Sequence, residues 1–142
     1  VTLGSIREPT NQSKFIGKEC VFRSGLELKF FRFCDANPNV VKWGSECVTV
    51  PYYDKVQQKN RTYYIDNYVV IKEGDKLVKY LVEVKPSKQT KAPNPKSRMK
   101  KSSLLFEQAQ FLTNTCKWDA AKEYASKIGA KFIIITEKEL NT

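Results

Sequence analysis

The strongest constraint on how this chain folds is a succession of three β-rich segments separated by short polar turns. Val40 to Tyr53 runs V-V-K-W-G-S-E-C-V-T-V-P-Y-Y, residues 62–72 run T-Y-Y-I-D-N-Y-V-V-I-K, and Leu77 to Lys85 runs L-V-K-Y-L-V-E-V-K. Aromatic and β-branched residues at this density favour strands. E-G-D between the second and third segments is a tight turn, so these two strands form a hairpin. The polar stretch Asp54–Arg61 turns the chain before them, and Pro51 marks a strand end or an edge.

Helical patterns flank the strands. Ser24 to about Ala36 places Leu26, Phe30, Phe33 and Cys34 at helical spacing, and N-P closes the segment. One helix is predicted from about Ser103 through Leu112 and another from about Thr115 to Ile128, with Gly129 as its stop. Lys131–Thr136, K-F-I-I-I-T, is a buried strand, and Thr136 with Glu139 caps a final turn. The order helix, three strands, helices, strand implies a mixed α/β domain around one central sheet. The 142 residues suit one domain, over 24–142, preceded by a polar arm or edge segment, 1–23, whose order depends on docking. Trp43 and Trp118 are core candidates; Tyr52 and Tyr53 fit either core or partner contacts.

Charge and missing residue types narrow the function. Twenty-five Lys and Arg against 15 Asp and Glu give a formal net charge of +10, which favours a polyanionic partner. No apolar run approaches the roughly 20 residues that span a bilayer, no signal-peptide core is present, and no broad-faced basic amphipathic helix marks a membrane binder. A soluble protein working in a cytoplasm is expected. There is no histidine, which excludes Ser-His-Asp and Cys-His hydrolases and zinc sites of the H-E-x-x-H type. Cys20, Cys34, Cys47 and Cys116 form no C-x-x-C pair and are expected as free thiols. Hydrolytic chemistry must therefore use carboxylates, lysine and an oxygen-bound metal.

Asp66 interrupts an otherwise apolar strand, and L-V-E-V-K-P places Glu83 and Lys85 on one face of the next, with Val82 and Val84 turned to a core. Pairing in the hairpin brings Asp66 beside Glu83. Two adjacent carboxylates raise each other's pKa unless a cation sits between them, and Mg²⁺ suits such hard oxygen ligands together with a phosphate. Lys85 would orient the attacking water or stabilise the transition state. On spacing alone, D…ExK also describes a solvent-exposed strand face with an ordinary Glu–Lys pair. S-G-L-E matches a capping box, so on spacing alone Glu27 is a cap residue with Ser24. Glu46 either lines the same site or faces solvent, and Gln108 and Gln110 are surface or interface residues. The stretch from Lys85 to Lys101 carries seven basic residues and no acid: Lys85, Lys88, Lys91, Lys96, Arg98, Lys100 and Lys101. As a loop ordered on binding it would track a phosphate backbone, with a salt slope of roughly −5 or −6 if most of its charges bind. A solvated lysine-rich loop is the plainer alternative.

The series R-S-G-L-E, W-G-S-E-C-V-T-V-P-Y, Y-Y-I-D-N, L-V-E-V-K-P, K-W-D-A-A and F-I-I-I-T-E-K-E-L resembles the head completion nucleases of T4-type tailed bacteriophages. Those proteins are of the PD-(D/E)XK nuclease group, similar to the TnsA-type transposon endonuclease. The resemblance runs from about Phe15 to Leu140 and implies a restriction-endonuclease-like core, a mixed central β-sheet flanked by helices. It implies Glu27 as the acidic position of the first helix, Asp66 and Glu83 as metal ligands with the Val84 carbonyl, and Lys85 as the catalytic lysine. Ile65 stands where a proline often precedes the aspartate. The implied cofactor is Mg²⁺, with Mn²⁺ as a substitute.

The implied partners are DNA and phage portal or neck proteins, and the implied setting is the host cytoplasm after DNA packaging, with retention in the virion an open alternative. Two functions follow: a metal-dependent DNA endonuclease of head completion, or a structural DNA-binding or portal adaptor that keeps the nuclease fold without cutting.

Overall fold

The computed structural model describes residues 5–7, 14–16, 20–94 and 100–140. Its centre is a five-stranded sheet in the order β2-β4-β5-β6-β7. Strands β4 (Val40–Asp54), β5 (Lys59–Glu73) and β6 (Lys76–Val84) form the expected antiparallel meander. β7 (Lys131–Ile135) adds parallel to β6, and β2 (Phe15–Ile16) adds parallel to β4. Before the first helix, β1 (Ser5–Arg7) pairs antiparallel with β3 (Cys20–Phe22).

The E-G-D turn is as tight as expected: Glu73 pairs with Lys76, and Gly74 takes φ +61, a left-handed conformation that costs glycine little. β5 starts earlier than its apolar pattern, because Asn60 and Arg61 pair with Tyr53 and Tyr52, leaving only residues 55–58 as the turn. Buried Asp54 fixes that turn. It accepts hydrogen bonds from the Val56 and Gln57 amides, from Arg61 and from the Thr113 hydroxyl. Burial pushes its carboxyl up, but these bonds outweigh that and hold it below the ordinary range.

Helices cover both faces of the sheet. α1 (Gly25–Ala36) packs Phe30, Phe31 and Cys34 on Val40, Trp43, Val69, Val82 and Val84. Phe33 was expected on this face but is 43% exposed; Phe31 takes the place, its ring 5.4 Å from that of Trp43. α2 (Lys101–Lys127) packs Trp118, Ala121 and Ala125 on Val50, Tyr52, Tyr63, Ile65 and Leu81. Both tryptophans are thus core residues. Tyr52 is buried as well, while Tyr53 is half exposed.

Three further expectations are corrected. The two helices predicted after Lys101 are one continuous helix of 27 residues. The helix runs on through Thr113 and Asn114, left between the two predicted helices: Thr115 gives its hydroxyl to the Phe111 carbonyl one turn back and Thr113 gives its own to Asp54, so neither competes with the helix. β7 lies at the edge of the sheet, so Phe132 to Ile135 are half-buried instead of buried. The segment after β6 is not a loop throughout: Ser87–Thr90 form a 3₁₀ turn, and α2 already begins at Lys101.

Gly129 ends α2 at φ +71 as expected, and Thr136 and Glu139 cap the short α3 (Glu137–Leu140). Cys34, Cys47 and Cys116 remain thiols. Among the described residues no helix is long and apolar enough to cross a membrane.

Candidate functional site

The hairpin register makes the site. Asn67 pairs with Val82, which sets Asp66 opposite Glu83. Val82 and Val84 lie in the core under α1, so Glu83 and Lys85 face the other way. Glu83 is only 4% exposed, which removes the reading of this face as an ordinary solvated one. Its carboxyl is hydrogen-bonded to that of Asp66 and accepts a second bond from the Tyr63 hydroxyl at 2.6 Å. Asp66 Oδ2 accepts the Val84 N–H at 2.9 Å. Because the N–H and C=O of a strand residue point to the same edge, the Val84 carbonyl faces Asp66 as well.

Burial pushes both acids up; the charge of Asp66 raises Glu83 further, whereas the hydrogen bond from Glu83 pulls Asp66 back down. Glu83 rises to about 8 and holds the proton that the pair shares; Asp66 is raised mainly by burial. Lys85 favours the charged form of both, and its backbone N–H is tied to the Ile135 carbonyl at 3.0 Å. β4 bulges opposite Asp66. One extra residue lies between Ser45 and Val48, and Glu46 there takes φ +52.

The cap reading of Glu27 holds in the structure. The Ser24 hydroxyl oxygen accepts the Glu27 N–H at 3.1 Å, as a helix cap does. The Glu27 carboxyl is half-buried and faces the acidic pair; burial and the charge of Asp66 push it to about 7. Glu46 forms a 2.7 Å ion pair with Arg23, and its charge also raises Asp66, so it belongs to the rim of the site.

Two participants escaped the sequence analysis. Tyr63 reads there as one more strand aromatic, and only the fold aims its hydroxyl at Glu83. Lys117, half-buried on α2, has its ammonium 5.6 Å from the centre of the Tyr63 ring. Burial lowers its pKa, against the opposing pull of Glu83. Its only sequence signal is a position inside K-W-D-A-A.

Of the basic residues after the site, Lys88, Lys91, Lys100 and Lys101 are exposed, while Lys96 and Arg98 lie outside the described residues. The expectation that this stretch orders only on binding fails for its start. The Glu137 carboxylate accepts the Ser87 N–H at 2.9 and 3.0 Å and holds the 3₁₀ turn against α3.

The donor set fits a hard divalent cation. Asp66, Glu83 and the Val84 carbonyl offer oxygen only, and two carboxyls in contact away from bulk water otherwise have to keep a proton between them. Among the described residues no three His, Cys, Asp or Glu side chains form a ready metal cage.

Two comparisons with known proteins give matches. A family described as TnsA-like endonuclease N terminal matches residues 37–137, a span that holds Asp66, Glu83 and Lys85 but not Glu27. The head completion nuclease of Enterobacteria phage T4 is 35% identical over 137 residues, covering 93% of this chain and 89% of that protein. No solved structure gives a significant match. Asp66, Glu83 and Lys85 thus fall within the residues that the family matches, and the chain belongs to the TnsA-like endonuclease family.

Proposed function

We propose that the protein is a Mg²⁺-dependent DNA endonuclease that acts in phage head completion, after DNA is packaged in the host cytoplasm and before portal or neck proteins close the head. The observation that carries the catalytic part is the buried Glu83 beside the half-buried Asp66, with Lys85 on the same strand face. The similarity to a protein named for head completion supports the assembly part.

In this reading Asp66, Glu83 and the Val84 carbonyl hold the cation, which supplies charge neutralisation at the phosphate and activation of the attacking water. Lys85 sets an ammonium beside the pair, orients the non-bridging phosphate oxygens and stabilises the negative charge that grows in the transition state. Tyr63 holds Glu83 in place through its hydroxyl. Glu27 supplies a further carboxyl, poised near neutrality, that accepts or releases a proton during turnover. Lys88, Lys91, Lys96, Arg98, Lys100 and Lys101 follow the phosphate backbone away from the cut.

The test is cleavage of supercoiled and linear DNA in Mg²⁺ and in Mn²⁺, with DNA binding measured on the same samples. Metal-dependent nicking by the wild type, lost in Asp66→Ala and Lys85→Ala with binding kept, is the expected result. Tight binding with no cleavage in any divalent cation would leave the structural adaptor.

A further inference from the structure

A cleft of about 720 Å³ opens beside Lys85, between the turn after β6 and the N-terminal half of α2. That volume lies in the range that encloses one small ligand. Lys85, Lys88, Lys91 and Lys117 line it, against one carboxylate, Glu107. Such a ring of ammonium groups selects for phosphate.

The rest of the lining is unlike a plain phosphate track. Phe106 is 65% exposed on the cleft wall, a large cost in water unless something flat covers the ring. Gln110 and Asn114, one helical turn apart, bring amides that both donate and accept hydrogen bonds. Ammonium groups, an exposed aromatic face and side-chain amides together match an unpaired nucleotide: backbone charge, base stacking and base-edge hydrogen bonding. A paired base has its face covered by its neighbours and cannot use Phe106. The cleft also connects to the chemistry, because Lys85 lines it and follows Glu83 on the same strand face.

We propose that this cleft binds one or two unpaired nucleotides next to the scissile phosphate, so that the enzyme prefers DNA with a single-stranded overhang or fork over blunt duplex. The proposal rests on the nuclease reading above, and names its substrate class.

Binding is measured by fluorescence anisotropy in the Asp66→Ala background, which keeps the DNA intact, with a blunt duplex and with the same duplex carrying a short overhang. The overhang is expected to bind about tenfold tighter, and Phe106→Ala to erase most of that difference, as the loss of one stacked base does. Leu105→Ala, a neighbouring exposed residue outside the cleft, should leave the preference intact. Equal affinity for both DNAs, or a Phe106→Ala loss shared by both, overturns the proposal. Wild-type cleavage run in parallel separates the two readings. Cutting without overhang preference overturns the cleft alone; overhang preference without cutting in any divalent cation upholds the cleft and overturns the nuclease.

Discussion

The Tyr63 hydroxyl donates to Glu83 Oε1 at 2.6 Å, tying an aromatic core residue of one strand to the deepest carboxyl of the site. This bond favours the charged form of Glu83 and works against the burial that pushes its pKa up. Tyr63→Phe keeps the ring in its packing and removes only the donor. Glu83 should then ionise at higher pH, so the rising limb of the cleavage profile moves upward by about half to one pH unit. The rate at high pH should stay within severalfold of wild type. A pH–rate series at saturating Mg²⁺ measures this, and an unmoved profile would remove Tyr63 from the site.

The acidic pair should be costly to the metal-free fold. Glu83 titrates near 8 in the folded protein and near 4.5 as an ordinary side chain, so between these values the folded state binds the extra proton. Stability must therefore fall as pH rises through that window. Asp66→Asn removes one charge and keeps an oxygen for the Val84 N–H. In EDTA, its thermal midpoint should exceed that of wild type by roughly 3–6 °C at pH 8 and by little at pH 5. Added Mg²⁺ should raise the wild type and close most of the gap, as a ligand that binds only the folded state does.

Lys117 offers a similar separation of stability from function. Its ammonium is held near the Tyr63 ring at a desolvation cost that lowers its pKa. Lys117→Met keeps the packing of the stem and removes the buried charge, so the thermal midpoint should hold or rise. DNA binding should weaken, and the salt slope should shrink by about 1, the loss of one phosphate contact. Anisotropy titrations across a salt series measure the slope, and Lys117→Arg should restore it.

Much of this was legible in the chain because strands advertise themselves locally. Period-two alternation and the E-G-D turn were enough to set Asp66 beside Glu83, and S-G-L-E marked the start of α1. The parts that were not legible are those decided by contacts distant in sequence. The join of the two predicted helices across Thr113 and Asn114 depends on the Asp54 and Phe111 oxygens that receive the Thr113 and Thr115 hydroxyls. Tyr63 lies twenty residues from the carboxyl it serves, and Lys117 comes from a different layer of the fold. Glu46 carried two readings because a β-bulge re-aims its backbone, and nothing in W-G-S-E announces the bulge.

The clamp between Glu137 and the Ser87 amide connects the last helix to the start of the basic segment. These bonds favour the charged carboxylate and lower its pKa, so the clamp persists from neutral pH down into the acid range. Glu137→Ala frees the 3₁₀ turn without touching Asp66, Glu83 or the hydrophobic core. Tryptic cleavage after Lys88 and Lys91 should then accelerate by about tenfold, since local opening of an unpinned loop governs proteolysis. DNA cleavage should lose apparent affinity more than maximal rate, because the freed lysines must be ordered again when the backbone binds. Limited trypsin digestion alongside cleavage kinetics checks both, and a tryptic pattern equal to that of wild type would show that the turn is held by something other than Glu137.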